Sequence, residues 1–149
     1  MGAGAGGARQ LVEQSMGFAK VMLEHFTTCG HEVGLPKQQA FALHLLAHQP
    51  PLTMSALADL LGTDASTVTG LVDRLEARGL IGRHVDPEDR RVKHLTVTEA
   101  GAATEARLAS QMFAQSPVVR CLSRAEQVQL AGLLAKVTSS EGCPLRPGE

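Results

Sequence analysis

The chain has 149 residues, 44% of them hydrophobic, and a formal net charge of -1, which suits one domain with a packed core. It contains no run of 18 or more apolar residues, so no membrane span and no membrane partner are expected; aromatics are only 3%, with no Trp or Tyr, which removes the stacking platforms of single-strand and RNA binders. Three cysteines, Cys29, Cys121 and Cys143, at no regular spacing argue against a disulfide framework and for a reducing compartment, with the cytoplasm as default.

The start, "MGAGAGGARQ", has neither a basic segment nor an apolar one, so no signal peptide is expected and residues 1–8 read as a disordered tail. From Arg9 to about Cys29, Leu11, Val12, Phe18, Val21, Met22 and Phe26 recur at helical spacing, predicting a helix ~30 Å long. So short a chain cannot cover all of it. "GHEVGLPKQQ" breaks the pattern, and a second helix is predicted from Pro36 to Ala47, burying Phe41, Leu45 and their neighbours.

"TMSALADLLGTDASTVTGLVDRLEARGL" is the most informative stretch. Thr53 is placed to cap a short helix ending at Leu61, Gly62 to stop it with positive φ, and Asp64 to cap a second helix running to about Arg78. Two helices joined so tightly must cross steeply. Ala58 is small where they would touch, Gly62 supplies the turn, and Val68, Leu71, Val72 and Leu75 form the buried stripe. This is the helix-turn-helix pattern. "LIGRHV" and "VKHLTV" then bracket "DPEDRR" as a hairpin with a charged tip, which completes a winged helix. "TEAGAATEARLASQMFAQ" returns to helix, Pro117 interrupts it, and the capping box Ser123-Arg124-Ala125-Glu126 opens a last helix to about Thr138. "SSEGCPLRPGE" reads as a frayed tail.

Charge counting opposes nucleic acid at first. Residues 35–97 hold seven Lys and Arg against seven Asp and Glu, without the basic excess of a DNA binder. Local geometry argues otherwise. With the helix 65–78 buried through its Val/Leu stripe, Ser66, Gly70, Asp73 and Ala77 point away, flanked by Thr67 and Thr69. Small hydroxyls, Ala and Gly are a surface that can approach a major groove closely while exchanging hydrogen bonds. Gly70 costs ~1 kcal/mol against Ala in a helix interior; close approach to DNA and simple tolerance are both open as its reason. Arg74 and Arg78, on one flank, suit phosphates or are ordinary solvated arginines. The hairpin tip, alone a solvated turn with weak ion pairs, would lie beside a minor groove when it follows a helix-turn-helix, where arginine is attracted. Asp89 can then hold Arg91 in one rotamer.

"LGTDASTVTGLVDRLEARGLIGRHVDPEDRRVKHLTVTEAG", residues 61–101, resembles the multiple antibiotic resistance regulator (MarR) family, and the flanking helices resemble its dimerisation helices. The resemblance implies a mainly α fold with a small β-hairpin: a dimerisation helix at 9–34, a winged helix-turn-helix DNA-binding domain at 35–97, and C-terminal dimerisation helices and tail at 98–149. It implies a homodimeric regulator, usually a repressor, that binds a pseudo-palindromic operator and responds to a small ligand, a metal or an oxidant. The DNA-contact set is then Asp64, Ser66, Thr67, Thr69, Gly70, Arg74, Arg78, Asp89, Arg90, Arg91 and Lys93. Gly70 departs from the pattern, since many members carry arginine there.

The effector leaves weaker traces. The family's usual apolar pocket would draw on Phe18, Met22, Phe26 and Phe41, each of which is equally a core residue. His25 and Cys29 are four apart, with His31 and Glu32 following, and His44 and His48 are four apart on the second helix. Such pairs can hold Zn²⁺, yet no closed four-ligand set is visible, and no neighbour marks Cys29 or Cys121 as a low-pKa thiol. No metal or cofactor is therefore assigned. No Gly-rich phosphate loop, nucleophile with a matching base or placed carboxylate pair suggests an enzyme; a winged-helix module for protein contacts is the competing binding role.

Overall fold

The computed structural model describes residues 3–86 and 92–139, with side chains from Gly6 onward. Helix α1 (Ala3–Glu32) starts earlier than expected: residues 3–8 are helical rather than a disordered tail. Alanines at 3, 5 and 8 offset the glycines between them, and Arg9 Nε donates to Glu13 Oε1 at 2.9 Å one turn on. Helix α2 (Lys37–His48) buries Gln39, Ala40, Ala42, Leu43 and Leu46. Phe41 was expected among them and is instead 41% exposed. The buried stripe, facing α4, α5 and the sheet, passes beside it, and its ring turns to meet Phe26 of α1 edge-on, with centroids 5.9 Å apart.

The helix-turn-helix follows the caps. Thr53 Oγ1 accepts from Ala56 N at 3.2 Å to open α3 (Met54–Leu61). Gly62 stops it at φ 60°, where a side chain would cost roughly 1–2 kcal/mol, and Asp64 opens α4 (Ala65–Ala77). Strand β1 (Leu52–Thr53), absent from the sequence reading, joins β2 (Ile81–Val85) and β3 (Lys93–Val97) in an antiparallel sheet of order β1-β3-β2. The hairpin register pairs Ile81 with Val97 and Val85 with Lys93. Two residues after a proline pair carry too little periodicity to announce a strand; only β3's edge makes them one.

Helix α5 (Glu99–Ala114) leaves the sheet at a tight junction: Thr98 Oγ1 donates to Gly79 O at 2.6 Å and accepts from Gly101 N at 3.0 Å. A Cβ on Gly101 would sit 1.9 Å from Leu80 O, so this glycine sets how closely α5 packs on the wing. Pro117 begins the short α6 (Pro117–Cys121), and Ser123 and Glu126 form the expected capping box of α7 (Arg124–Thr138). The core gathers Leu35, Leu43, Leu57, Val68, Val72, Leu75, Ile81, Leu95 and Leu108; each such side chain contributes about 1.5–3 kcal/mol on burial. It lies inside the winged helix and reaches α1 and α5 at Phe26, Cys29 and Leu108. No described helix is long and apolar enough to cross a membrane.

Candidate nucleic-acid interface

Helix α4 rests on its buried stripe Val68, Leu71, Val72 and Leu75, and this turns Ser66, Thr67 and Thr69 to solvent. Gly70 beside them is half-buried, and a Cβ there would meet nothing within 4 Å. Interior packing therefore gives no reason for the glycine. The hydroxyls are not idle. Ser66 Oγ donates to Asp64 Oδ1, Thr67 Oγ1 donates to Asp64 Oδ2 at 2.9 Å, and Thr67 N donates to Oδ1 at 2.9 Å. The Ser66 hydroxyl first, then the Thr67 amide and hydroxyl, hold the Asp64 carboxyl far below the ordinary carboxylate range. Asp64 thus occupies the helix N-terminus itself, and the Ser66 and Thr67 hydroxyls, donating to it, keep their acceptor capacity for a partner. Thr69 Oγ1 is tied back to Ala65 O at 2.8 Å.

The arginines separate by role. Arg74 is exposed, and no described side chain pairs with it. Arg78, expected at a phosphate, is exposed but ties its guanidinium across the surface: Nη1 donates to Gly34 O at 2.8 Å and to Gln39 Oε1 at 3.4 Å, pinning the end of α4 to the α1–α2 turn. Arg83, on strand β2, has a role that strand spacing does not mark. Its guanidinium bridges Asp73 and Glu76 of α4, so two acids that weighed against DNA in the charge count are paired, two turns along α4 from Ser66 and Thr69. Only the fold shows that β2 runs beside α4.

Lys93 is exposed at the outer end of β3. The ladder continues to Asp86 N donating to Val92 O at 2.9 Å, and His94 Nε2 lies 2.9 Å from Asp86 Oδ2, bracing the strands below the tip. Asp89, Arg90 and Arg91 lie outside the described residues.

The expected pocket divides. Phe26 and Phe41 line a cavity of about 190 Å³ with Leu23, Leu61, Leu71 and Thr67, so α1, α2 and α4 share one wall. Phe18 lines a second cavity of about 460 Å³ against Pro117, Val118, Leu122 and Leu130. Met22, half-buried, borders neither. A single helical stripe on α1 cannot face both places at once.

The histidine pairs differ as well. His25 Nε2 lies 3.0 Å from Met112 O, and Cys29 Sγ is 3.7 Å from the same ring nitrogen. Burial, then the Glu32 charge, raises the Cys29 thiol pKa, which makes it less reactive. His44 and His48 converge on a residue that sequence spacing could not single out: Glu105 of α5, with Oε1 3.0 Å from His44 Nδ1 and 3.8 Å from His48 Nδ1.

Similarity to known proteins follows this architecture. The sequence profile of the MarR family matches residues 33–92. A protein named for regulation of the hcr operon of Thauera aromatica is 36% identical over 96 residues, 64% of this chain and 58% of the relative, so the chain spans under two thirds of that protein's length. The repressor MdtR of Bacillus subtilis is 32% identical over 108 residues, 72% of this chain and 70% of the repressor. Among solved structures, the repressor CouR bound to a 23-mer DNA duplex superposes with a TM-score of 0.69 at 29% identity, covering 89% of this chain and 95% of that one. Sequence match and superposition agree with the winged helix described above, and the chain belongs to the MarR family of transcriptional regulators.

Proposed function

We propose that this chain is a homodimeric, sequence-specific repressor that inserts α4 into the major groove of a pseudo-palindromic operator, places its wing at the flanking minor groove, and is released by a small apolar ligand. The observation that carries this reading is the face of α4: Ser66, Thr67, Thr69 and Gly70 form a small, hydroxyl-bearing surface that no interior contact requires. The DNA duplex held by the CouR relative supports it. Asp64 acts through the hydroxyls it orients, Arg74 and Lys93 meet phosphates, and Asp89, Arg90 and Arg91 make the minor-groove contacts. Arg78 is left out of the contact set because its guanidinium is engaged at Gly34.

Residues 9–34 and 98–149 form the dimerisation part, and 35–97 the DNA-binding part. Leu11, Val12, Met16, Phe113, Val128, Leu133 and Val137 are all more than half exposed, an apolar surface of the kind that second copies cover. Dimerisation sets two α4 helices about one DNA turn, roughly 34 Å, apart. A ligand between Phe26, Phe41 and Leu71 would touch α1, α2 and α4 together, and so act on that spacing through differential affinity for two arrangements.

Selection of bound sequences from a random duplex pool tests the reading. The expected product is a palindrome whose half-sites are one turn apart, bound in the nanomolar range and weakened steeply by salt. Thr67→Glu and Arg91→Ala should each weaken binding by at least about tenfold. The balanced charge of residues 35–97 leaves open one competing role, a protein-binding winged helix; a folded dimer with no retention on DNA at low salt would favour that role instead.

A further inference from the structure

We infer that His44, His48 and Glu105 form a divalent transition-metal site of the Zn²⁺ class, clamping α2 to α5. The three residues come from two helices, and their candidate ligand atoms all lie within 4.8 Å of one another. Zn–N and Zn–O bonds of about 2.0–2.2 Å in tetrahedral geometry set neighbouring donor atoms roughly 3.4 Å apart. The observed separations, 3.0 Å from His44 Nδ1 to Glu105 Oε1 and 3.8 Å from His48 Nδ1 to the same oxygen, bracket that spacing.

An ordinary ion pair does not account for the cluster. One histidine at hydrogen-bond distance already answers the Glu105 carboxylate, whose side chain is only 11% exposed. His48 adds no hydrogen bond to it: at 3.8 Å it is too far, and its Nδ1 lies 2.9 Å from its own helix carbonyl, His44 O. The two imidazoles nonetheless lie 4.4 Å apart between centroids, tilted by 40°, with both Nδ1 atoms within 3.8 Å of one Glu105 oxygen. A cation would take the place of the protons now held at these atoms: once His44 Nδ1 and His48 Nδ1 lose their hydrogen bonds to Glu105 and to His44 O, both nitrogens and the Glu105 oxygen are free to ligate it, with water as the fourth ligand because His48 is open to solvent. His44 also packs edge-on against Phe26, which lines the cavity beside α4. The site therefore ties α5 to the helix that shares a wall with the proposed ligand cavity.

Metal binding is independent of the DNA-binding proposal, and its test uses metal alone. Co²⁺ titrated into the metal-free full-length protein should saturate at one ion per chain, with the strong visible absorption of a tetrahedral site and no thiolate charge-transfer band. Zn²⁺ should displace it and raise the melting temperature. His48→Ala, at an exposed position, and Glu105→Gln, which keeps the side-chain shape, should each weaken Co²⁺ affinity by more than about tenfold and abolish the Zn²⁺ shift, with circular dichroism confirming that both fold. Unchanged affinity in these two variants, or a thiolate band that points to Cys29, overturns the assignment.

Discussion

Gly70 is where one residue most directly links stability to recognition. Space is free around its missing Cβ, so Gly70→Ala should stabilise the fold by about 0.5–1 kcal/mol through helix propensity. If DNA approaches α4 closely there, the same variant should bind the selected operator several-fold more weakly. Denaturant unfolding and a DNA titration on one preparation separate the effects; greater stability with undiminished affinity would sink the close-approach reading. Asp64 makes a pH prediction. Hydrogen bonds from Ser66 and Thr67 depress its folded-state pKa below the ordinary 3.8. The stabilisation is then fully present above pH ~4 and fades as pH falls toward the depressed value. Asp64→Ala should lower the melting temperature at pH 7 and flatten its acid dependence, because the proton-linked difference between folded and unfolded states is gone.

At the scale of elements, α4 is held from two sides, by Arg78 on the α1–α2 turn and by Arg83 on β2. This yields a contrast between two arginines one turn apart. Arg78→Ala should cost about 1 kcal/mol of stability from its lost hydrogen bond to Gly34, with little change in the salt dependence of DNA binding. Arg74→Ala should leave stability within about 0.5 kcal/mol and reduce the salt slope by about one ion. Melting curves and affinities at several salt concentrations distinguish them, and the opposite pattern would exchange their roles. The sequence foretold the caps at Thr53, Asp64 and Ser123 because a cap is a local hydrogen bond within three residues. It could not foretell Arg78 to Gly34, 44 residues apart, or Arg83 to Asp73, because arginine chooses among acceptors that the backbone path brings to it.

For the whole molecule, the issue is what covers the apolar ends. Helix α7 buries none of its residues, and Leu11 and Met16 of α1 are 68% and 69% exposed. A second copy should bury them, so sedimentation at micromolar concentration should give twice the chain mass of 15.7 kDa. Leu11→Lys combined with Leu133→Lys should shift the protein toward monomer and lower operator affinity by more than tenfold, since one winged helix lacks its coupled partner. A monomeric parent that binds the palindrome tightly would contradict the dimer proposal.

Local pattern alone determined much of this protein. Periodicity marked α3 and α4, positive φ fell to Gly62, and the β-branched runs around "DPEDRR" marked β2 and β3, because each depends on neighbours within a few residues. Tertiary structure decided the rest. It set the phase of α2, which left Phe41 at a cavity rather than in the core, paired β1 with β3, tied Arg78 to Gly34, and brought Glu105 to His44 across 61 residues. Those outcomes depend on how whole elements pack, and a helix or strand carries no mark of which distant side chain will meet its face.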